Sequence, residues 1–497
     1  MPNSVALKQD RRQILAPPRN CWRLSRAGRA ALLTNADYFR RLADCMRRAR
    51  HRILLIGWDL DAALVLDPHG SGPGALPLTQ FLAALLDLRP GLEIRFLLWD
   101  RTVFYGGNRR SSAALHALSK RYPAFRYHFT PAPLACSHHA KLVAIDDGLA
   151  FVGGIDLAGD RWDRIDHPPS HPARTTPDGD AYGPTHDLQM LVAGPAAADL
   201  SAYAAQRWSE ATGDPAPPAE PGPADWPDDL APDFTDIPAG IARTLPQAAI
   251  REVETLNHDA LAAARHCIYL EAQYLTASSI GDSLVRQLER PDGPEIVIVV
   301  TRTSHGMLEQ FAMDNNRDRL LRRLAAADRW GRLRVYYPIV EDGDRRVEVK
   351  IHAKLVVIDD RLLRVGSSNL NNRSMAVDSE CDLALEAAGE AHRERIRALR
   401  NRLIAEQLHQ PAATVAAAFR RMTSVISVIE MLNGAGYLQP LEISPDGPDT
   451  PMPGTAVLDP NEPPTLGHLW CEVVPGGAHA LLHFGAGEQQ AAEGERE

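Results

Sequence analysis

Cysteine is scarce in this chain of 497 residues: Cys21, Cys45, Cys136, Cys267, Cys381 and Cys471 are scattered and form no CxxC pair. That argues against a zinc ribbon and a dense disulfide framework, and a reducing compartment is the simplest reading. Long apolar runs are also missing. Nothing approaches the roughly eighteen consecutive apolar residues of a membrane span, so any contact with lipid is expected to be peripheral. The first 20 residues hold no apolar core of a leader, so no signal peptide is expected. Positive charge is short: 54 Lys and Arg stand against 63 Asp and Glu, for a net charge of −9. Such a surface offers no broad attraction to nucleic acid or anionic lipid and leaves only local basic pockets.

What is present is an ordinary globular composition, 45% apolar and 24% charged, in a chain too long for one hydrophobic core. It contains one pattern twice. Residues 138–156 read HHAKLVAIDDGLAFVGGID and residues 351–369 read IHAKLVVIDDRLLRVGSSN. The pairs are His139/His352, Lys141/Lys354, Asp146/Asp359, Gly153/Gly366 and Asp156/Asn369. Identity at so many fixed spacings marks a duplicated unit.

The flanking sequence repeats as well. A helix over 35–49 behind an Asn cap leads into the strand 52–60, and a helix near 250–265 leads into 267–275. Strands at 92–99 and 125–129 match those at 295–300 and 333–339. Helices alternating with short apolar strands predict two homologous α/β domains, each a mixed sheet flanked by helices. The expected divisions are an N-terminal extension over 1–30, a first domain over 31–211, a Pro-rich linker over 212–241, a second domain over 242–435 and an extended tail over 436–497. Residues 159–186, dense in Pro, Gly and Asp, form a long loop of the kind that is usually functional or disordered.

Alternate residues of a strand share a face, so His139 points with Lys141 and His352 with Lys354. Asp146 and Asp359 have the opposite parity and fall at a turn, which makes them supports of the motif. One His–Lys pair on a sheet is more often structural. Two pairs that meet about a pseudo-two-fold axis would surround an anion with two imidazoles and two ammonium groups. A phosphodiester suits that cluster: one imidazole attacks phosphorus, the other protonates the departing alkoxide, and the lysines stabilise the oxygens. The scheme needs no metal and no cofactor. Each histidine then needs a carboxylate to set its tautomer, and Asp187 and Glu380, each leading a strand of its own repeat, are the candidates. Asp378 is a rival, and His186 is within reach.

These motifs resemble those of the phospholipase D superfamily, whose mark is a pair of HxKxxxxD sequences followed by Gly-Gly or Gly-Ser turns. GGIDL, DRWD (160–163), HDLQMLVAGP and NLNNRS look like the branch acting on phosphatidylcholine, in a form without lipid-targeting domains. The resemblance implies one site between the halves, with His139 as nucleophile, His352 as general acid and a phosphohistidine intermediate. Water would release phosphatidic acid, and an alcohol would give transphosphatidylation. EAQYL (271–275) is similar to the family's IENQY segment, which nominates Gln273 and Tyr274 as pocket residues beside Asn369 and Asp156. Where some relatives carry Asn, Asp156 is expected to face a positive partner or brace its loop.

The implied protein is a monomeric cytoplasmic enzyme that meets a phospholipid substrate peripherally on the inner membrane surface, with Trp162 and Tyr182 as the expected contacts, without nucleic acid. A cardiolipin-synthase-like phosphatidyltransferase, a nuclease and a non-catalytic scaffold are the alternatives.

Overall fold

Arg52–Gly57, Glu93–Trp99 and Phe125–Thr130 pair in parallel, and Arg52–Gly57 also pairs antiparallel with Leu142–Ile145. The sheet continues antiparallel through Leu149–Gly153 and Leu188–Ala193 to the long strand Arg23–Thr34. The second half repeats this order. Cys267–Ala272, Glu295–Val300 and Leu333–Asp342 are parallel, and Lys354–Ile358, Leu362–Gly366, Glu380–Glu386 and Phe234–Leu245 follow antiparallel. Arg23–Thr34 and Phe234–Leu245 then pair with each other, Arg23 opposite Ile241 and Ala30 opposite Phe234, so one continuous mixed sheet runs through both halves. This computed structural model describes residues 13–70, 72–100, 109–133, 136–216, 225–303, 313–451 and 454–463.

Helices flank the sheet on both faces, and the apolar residues divide accordingly. One buried cluster backs the first half around Phe39, Phe81 and Phe96, and another backs the second around Leu256, Leu284 and Leu320. A third cluster crosses the middle, joining Leu200 and Trp208 of helix Pro195–Thr212 to Leu403 and Ile404 of helix Glu390–Gln407. Strands covered on both faces read as continuous apolar runs, which is why LVAI and LVVI are buried throughout.

Several expected boundaries move. The extension over 1–30 and the linker over 212–241 each contain the start of a long strand, because Arg23–Thr34 and Phe234–Leu245 weld the halves together. In the linker, Trp226 is buried, and residues 217–224 lie outside the described residues. The tail begins with Leu438–Pro440 paired to Leu333–Asp342, and buried Asp459 accepts from Thr276 Oγ1 at 2.6 Å and Asn372 Nδ2 at 3.0 Å. Residues 464–497 are outside the described residues. Asn35 does not cap its helix. Its side chain bridges the Arg161 carbonyl and the Asp187 N–H, both at 2.8 Å, fixing the long loop to the first strand of the site. Among the described residues no helix is long and apolar enough to cross a membrane.

Candidate active site

The two motifs are docked onto each other's acidic strands. The strand of the first motif begins at Leu142, so His139 and Lys141 lie on an extended lead-in and not inside the strand as their spacing predicts. The lead-in is held by a bridge from His138 to Ser379 and by the His139 N–H on the Ser379 carbonyl at 2.9 Å. In the second half, Lys350–Ile351 pairs in parallel with Thr185–His186, and the His352 N–H donates to the His186 carbonyl at 2.7 Å. Each histidine is thereby set beside the carboxylate that leads the opposite half's strand.

The carboxylate partners are accordingly crossed. His139 Nδ1 lies 3.0 and 3.1 Å from the two oxygens of Glu380, and His352 Nδ1 lies 2.6 Å from Asp187 Oδ2. The sequence nominates one carboxylate in each repeat, and the structure pairs each with the histidine of the other half. Asp378, the rival of Glu380, is engaged by Arg373 and by the Ser137 N–H. His186 is fully buried between Glu271 and Glu406 and does not line the site.

The small turns after the motifs set where the carboxylates sit. A Cβ on Gly154 would stand 2.3 Å from Asp187 Oδ1, so only glycine leaves room there. At the matching position Ser367 donates its hydroxyl to Glu380 Oε2. Gly153 and Gly366 are likewise crowded by Gln189 and Asp382.

The two lysines have different surroundings. Lys141 Nζ forms a buried ion pair with Asp156 Oδ2 at 3.1 Å and lies 5.9 Å from the centre of the Trp58 ring. Asp156 Oδ1 meanwhile accepts the Trp58 and Asp59 N–H groups at 2.9 and 3.3 Å, so this carboxylate both faces a cation and braces its loop. Lys354 Nζ instead meets Gln273 Oε1 at 3.0 Å, and among the described residues no carboxylate lies within ion-pair distance of it. Tyr274, next to Gln273, is half-buried. Asn369 donates its N–H to Ser374 Oγ, while its buried Oδ1 has no hydrogen-bond partner. Such a group costs about 1–3 kcal/mol and is a natural contact for a ligand.

Burial, then Lys141 and Lys354, holds the His139 pKa well below the ordinary imidazole value. Burial, with Lys354 next, depresses His352 in the same way. Burial also pulls the Lys354 ammonium down to about 7 against the opposing pull of Asp187, and pushes Asp187 up to about 6 and Glu380 upward. Placing so many ionisable groups in a dry site makes each charge dependent on the others, a pattern typical of functional sites.

Asp146 and Asp359 stand outside this cluster. Asp146 accepts the N–H groups of Arg50, His51 and Arg52 at 2.7–2.8 Å, and Asp359 those of Arg265, His266 and Cys267 at 2.8–3.0 Å. Both have positive φ, 50° and 53°, a conformation Asp tolerates better than most residues. They tie the motif's hairpin to the start of the neighbouring strand. Trp58 went unnoticed in the sequence. It occupies the position of Gln273 when GWDL (57–60) is aligned with AQYL (272–275), and its ring stands 6.3 Å from that of His139.

Residues 258–401 match the family model described as "Cardiolipin synthase, PLD-like domain". Phospholipase D A of Dictyostelium discoideum is 24% identical over 418 residues, covering 70% of this chain and 32% of the relative. Phospholipase D alpha 3 of Arabidopsis thaliana is 22% identical over 489 residues, covering 70% and 59%. The chain thus spans between a third and three-fifths of the length of these curated relatives. Its fold is similar to that of a phosphatidylserine synthase from Haemophilus influenzae Rd KW20, with a TM-score of 0.52, 13% identity, and 82% and 94% of the two chains covered. These likenesses support the phospholipase D superfamily.

Proposed function

We propose that this protein is a phospholipase D that cleaves the distal phosphodiester bond of glycerophospholipids through a phosphohistidine. The observation that carries the reading is the pair of crossed His–carboxylate dyads, His139 with Glu380 and His352 with Asp187, beside two lysines. With Nδ1–H donated to a carboxylate, each imidazole keeps Nε2 for chemistry. Nε2 of His139 attacks phosphorus as the bond to the head-group oxygen breaks, and that oxygen takes a proton from Nε2 of His352, whose protonated form the negative charges of the bound phosphate and Asp187 favour against the burial that depresses it. His352 then removes a proton from water, whose oxygen attacks phosphorus and frees His139, giving phosphatidic acid. The shorter dyad, 2.6 Å at His352, suits the histidine that must carry the extra proton. Lys354, lacking a carboxylate partner, meets the non-bridging oxygens, while Asp156 already offsets much of the charge on Lys141.

An alcohol in place of water gives transphosphatidylation. A phosphatidyltransferase is the second reading, favoured by the cardiolipin-synthase description of the matched model and the name of the structural relative. Contact with lipid is peripheral. Trp162 is buried and Tyr182 donates its hydroxyl to the Trp162 carbonyl, so the expected aromatic anchor is replaced by Ile165 of the same loop, which is exposed.

Incubation with phosphatidylcholine vesicles, with and without glycerol or ethanol, tests the proposal. Choline release that is lost in His139→Ala and in His352→Ala supports it. Activity retained in either variant, or no turnover of any phosphatidyl substrate, contradicts it. Product formed only when an alcohol is supplied favours the transferase.

A further inference from the structure

Behind the dyads lies a second cluster that the reaction does not use. His167 comes from the 159–186 loop, His186 from the strand leading to Asp187, and Glu406 from helix Glu390–Gln407 of the second half. We propose that His167, His186 and Glu406 bind one divalent transition-metal ion, with zinc the best match, which fastens the loop and both halves together beside the active site.

Their ligand atoms all lie within 4.8 Å of one another. Glu406 Oε1 is 3.0 Å from His186 Nδ1 and 3.5 Å from His167 Nε2. These separations straddle roughly 3.3 Å, the edge of a tetrahedron with arms of about 2.0 Å as in zinc sites.

The surroundings have the form expected around metal ligands. A ligating histidine almost always gives its other ring nitrogen to a carboxylate or carbonyl. His167 Nδ1 is 2.9 Å from Asp163 Oδ2, and His186 Nε2 is 2.8 Å from Glu271 Oε2. Those carboxylates are themselves held, Asp163 by Arg174 and the Thr185 N–H, Glu271 by the Tyr269 hydroxyl at 2.6 Å.

The independent sign of a ligand is His167 Nε2. It is buried, has no hydrogen-bond partner and faces the Glu406 oxygen. Once Nδ1–H serves Asp163, Nε2 presents a lone pair to a carboxylate lone pair, a repulsive arrangement unless a cation lies between them. Charge points the same way. Asp163, Glu271 and Glu406 outnumber Arg174 by two negative charges when the imidazoles are neutral, and a divalent ion cancels that excess. Two imidazoles and a carboxylate favour zinc over calcium or magnesium.

Because the His186 carbonyl accepts the His352 N–H, the ion would act as a positioning element for the second dyad, without touching the substrate. The rival occupant is a proton on each imidazole, which would balance the same charge.

The test is metal content. Full-length protein is produced in medium supplied with zinc, passed through a desalting column with brief EDTA exposure, and measured by mass spectrometry and zinc X-ray absorption. The expected result is about one zinc per chain, chelator-resistant because the site is buried, with a shell of nitrogen and oxygen at about 2.0 Å and two imidazole signatures. Glu406→Gln and His167→Asn should each weaken retention roughly 10- to 100-fold. Removing the histidines beside Trp162, His69→Ala with His171→Ala, should leave it unchanged. Zinc absent from the wild type, a sulfur-containing shell, or zinc lost only in the His69/His171 variant would overturn the proposal. The absorption spectrum of the wild type decides even if a variant misfolds.

Discussion

His139 takes its carboxylate from the other half of the molecule: its Nδ1 lies 3.0 Å from Glu380 Oε1, 241 residues away. The reciprocal bond, His352 to Asp187, spans 165 residues. Neither half holds a complete dyad, so the cluster exists only where the two halves meet.

The two dyads should fail differently. Glu380→Gln perturbs the attacking imidazole and Asp187→Asn the proton donor, and each is expected to lower turnover of phosphatidylcholine by about 10²-fold or more. A phosphatidyl ester of p-nitrophenol needs no protonation of its leaving group. Burst release from it should be largely restored in Asp187→Asn and remain slow in Glu380→Gln. Equal rescue of both variants would contradict the division of roles.

Lys354 predicts an alkaline limit. Its pKa is pulled down to about 7, so the cation that meets phosphate is present below that pH and lost as pH rises through it. His139, whose pKa is depressed well below 6.5, stays neutral and nucleophilic down to more acidic pH. The pH profile of kcat/KM should therefore fall in two stages as pH rises, first as His352, whose pKa is also depressed, loses the proton it must donate and then near 7 as Lys354 discharges, and only the second stage should move to higher pH in Lys354→Arg, whose guanidinium does not titrate in this range. A limb that stays near 7 in that variant belongs to another group.

Gly154→Ser introduces in the first half the residue that serves the second. Ser367 hydrogen-bonds Glu380, yet a Cβ at 154 collides with Asp187. Displacement of Asp187 should cost about 10²-fold in kcat while circular dichroism shows a folded protein. Full activity would mean that Asp187 need not occupy its observed position.

Asp359→Ala should act on stability and not on chemistry. It removes an acceptor shared by three backbone N–H groups and leaves a positive φ for alanine. A loss on the order of 2–4 kcal/mol in denaturant unfolding is expected, smaller for Asp359→Asn, which keeps an acceptor and tolerates that conformation. Loss of kcat in protein that remains folded would give Asp359 a role in the site.

Much of this was legible before any coordinates. The duplicated HAKLV motifs single out the histidines and lysines that the structure gathers into one cluster, and the turn position of Asp146 separates it from them, although the strand that parity assumed for His139 begins only at Leu142. The pairing of Asp187 with His352 and of Glu380 with His139 was not legible, because it depends on how the halves dock, which no local period encodes. The strands at Arg23 and Phe234 were obscured by neighbouring proline and charge, and their pairing is between distant segments. Trp58 could have been found by reading the matched strands 52–60 and 267–275 residue by residue, which sets it opposite Gln273. The unlike partners of Lys141 and Lys354 were half visible in Asp156 against Asn369. The remainder, a lysine short of counter-charge, required the packed site.

The most direct measurement is the identity of the labelled residue. Asp187→Asn protein is mixed with a phosphatidyl p-nitrophenyl ester radiolabelled at phosphorus, quenched rapidly, digested and mapped. The account predicts a burst of nitrophenol matched by label on the peptide containing His139, because the nucleophile acts while its removal by water is slowed. Label on His352, or turnover with no labelled histidine, would contradict it.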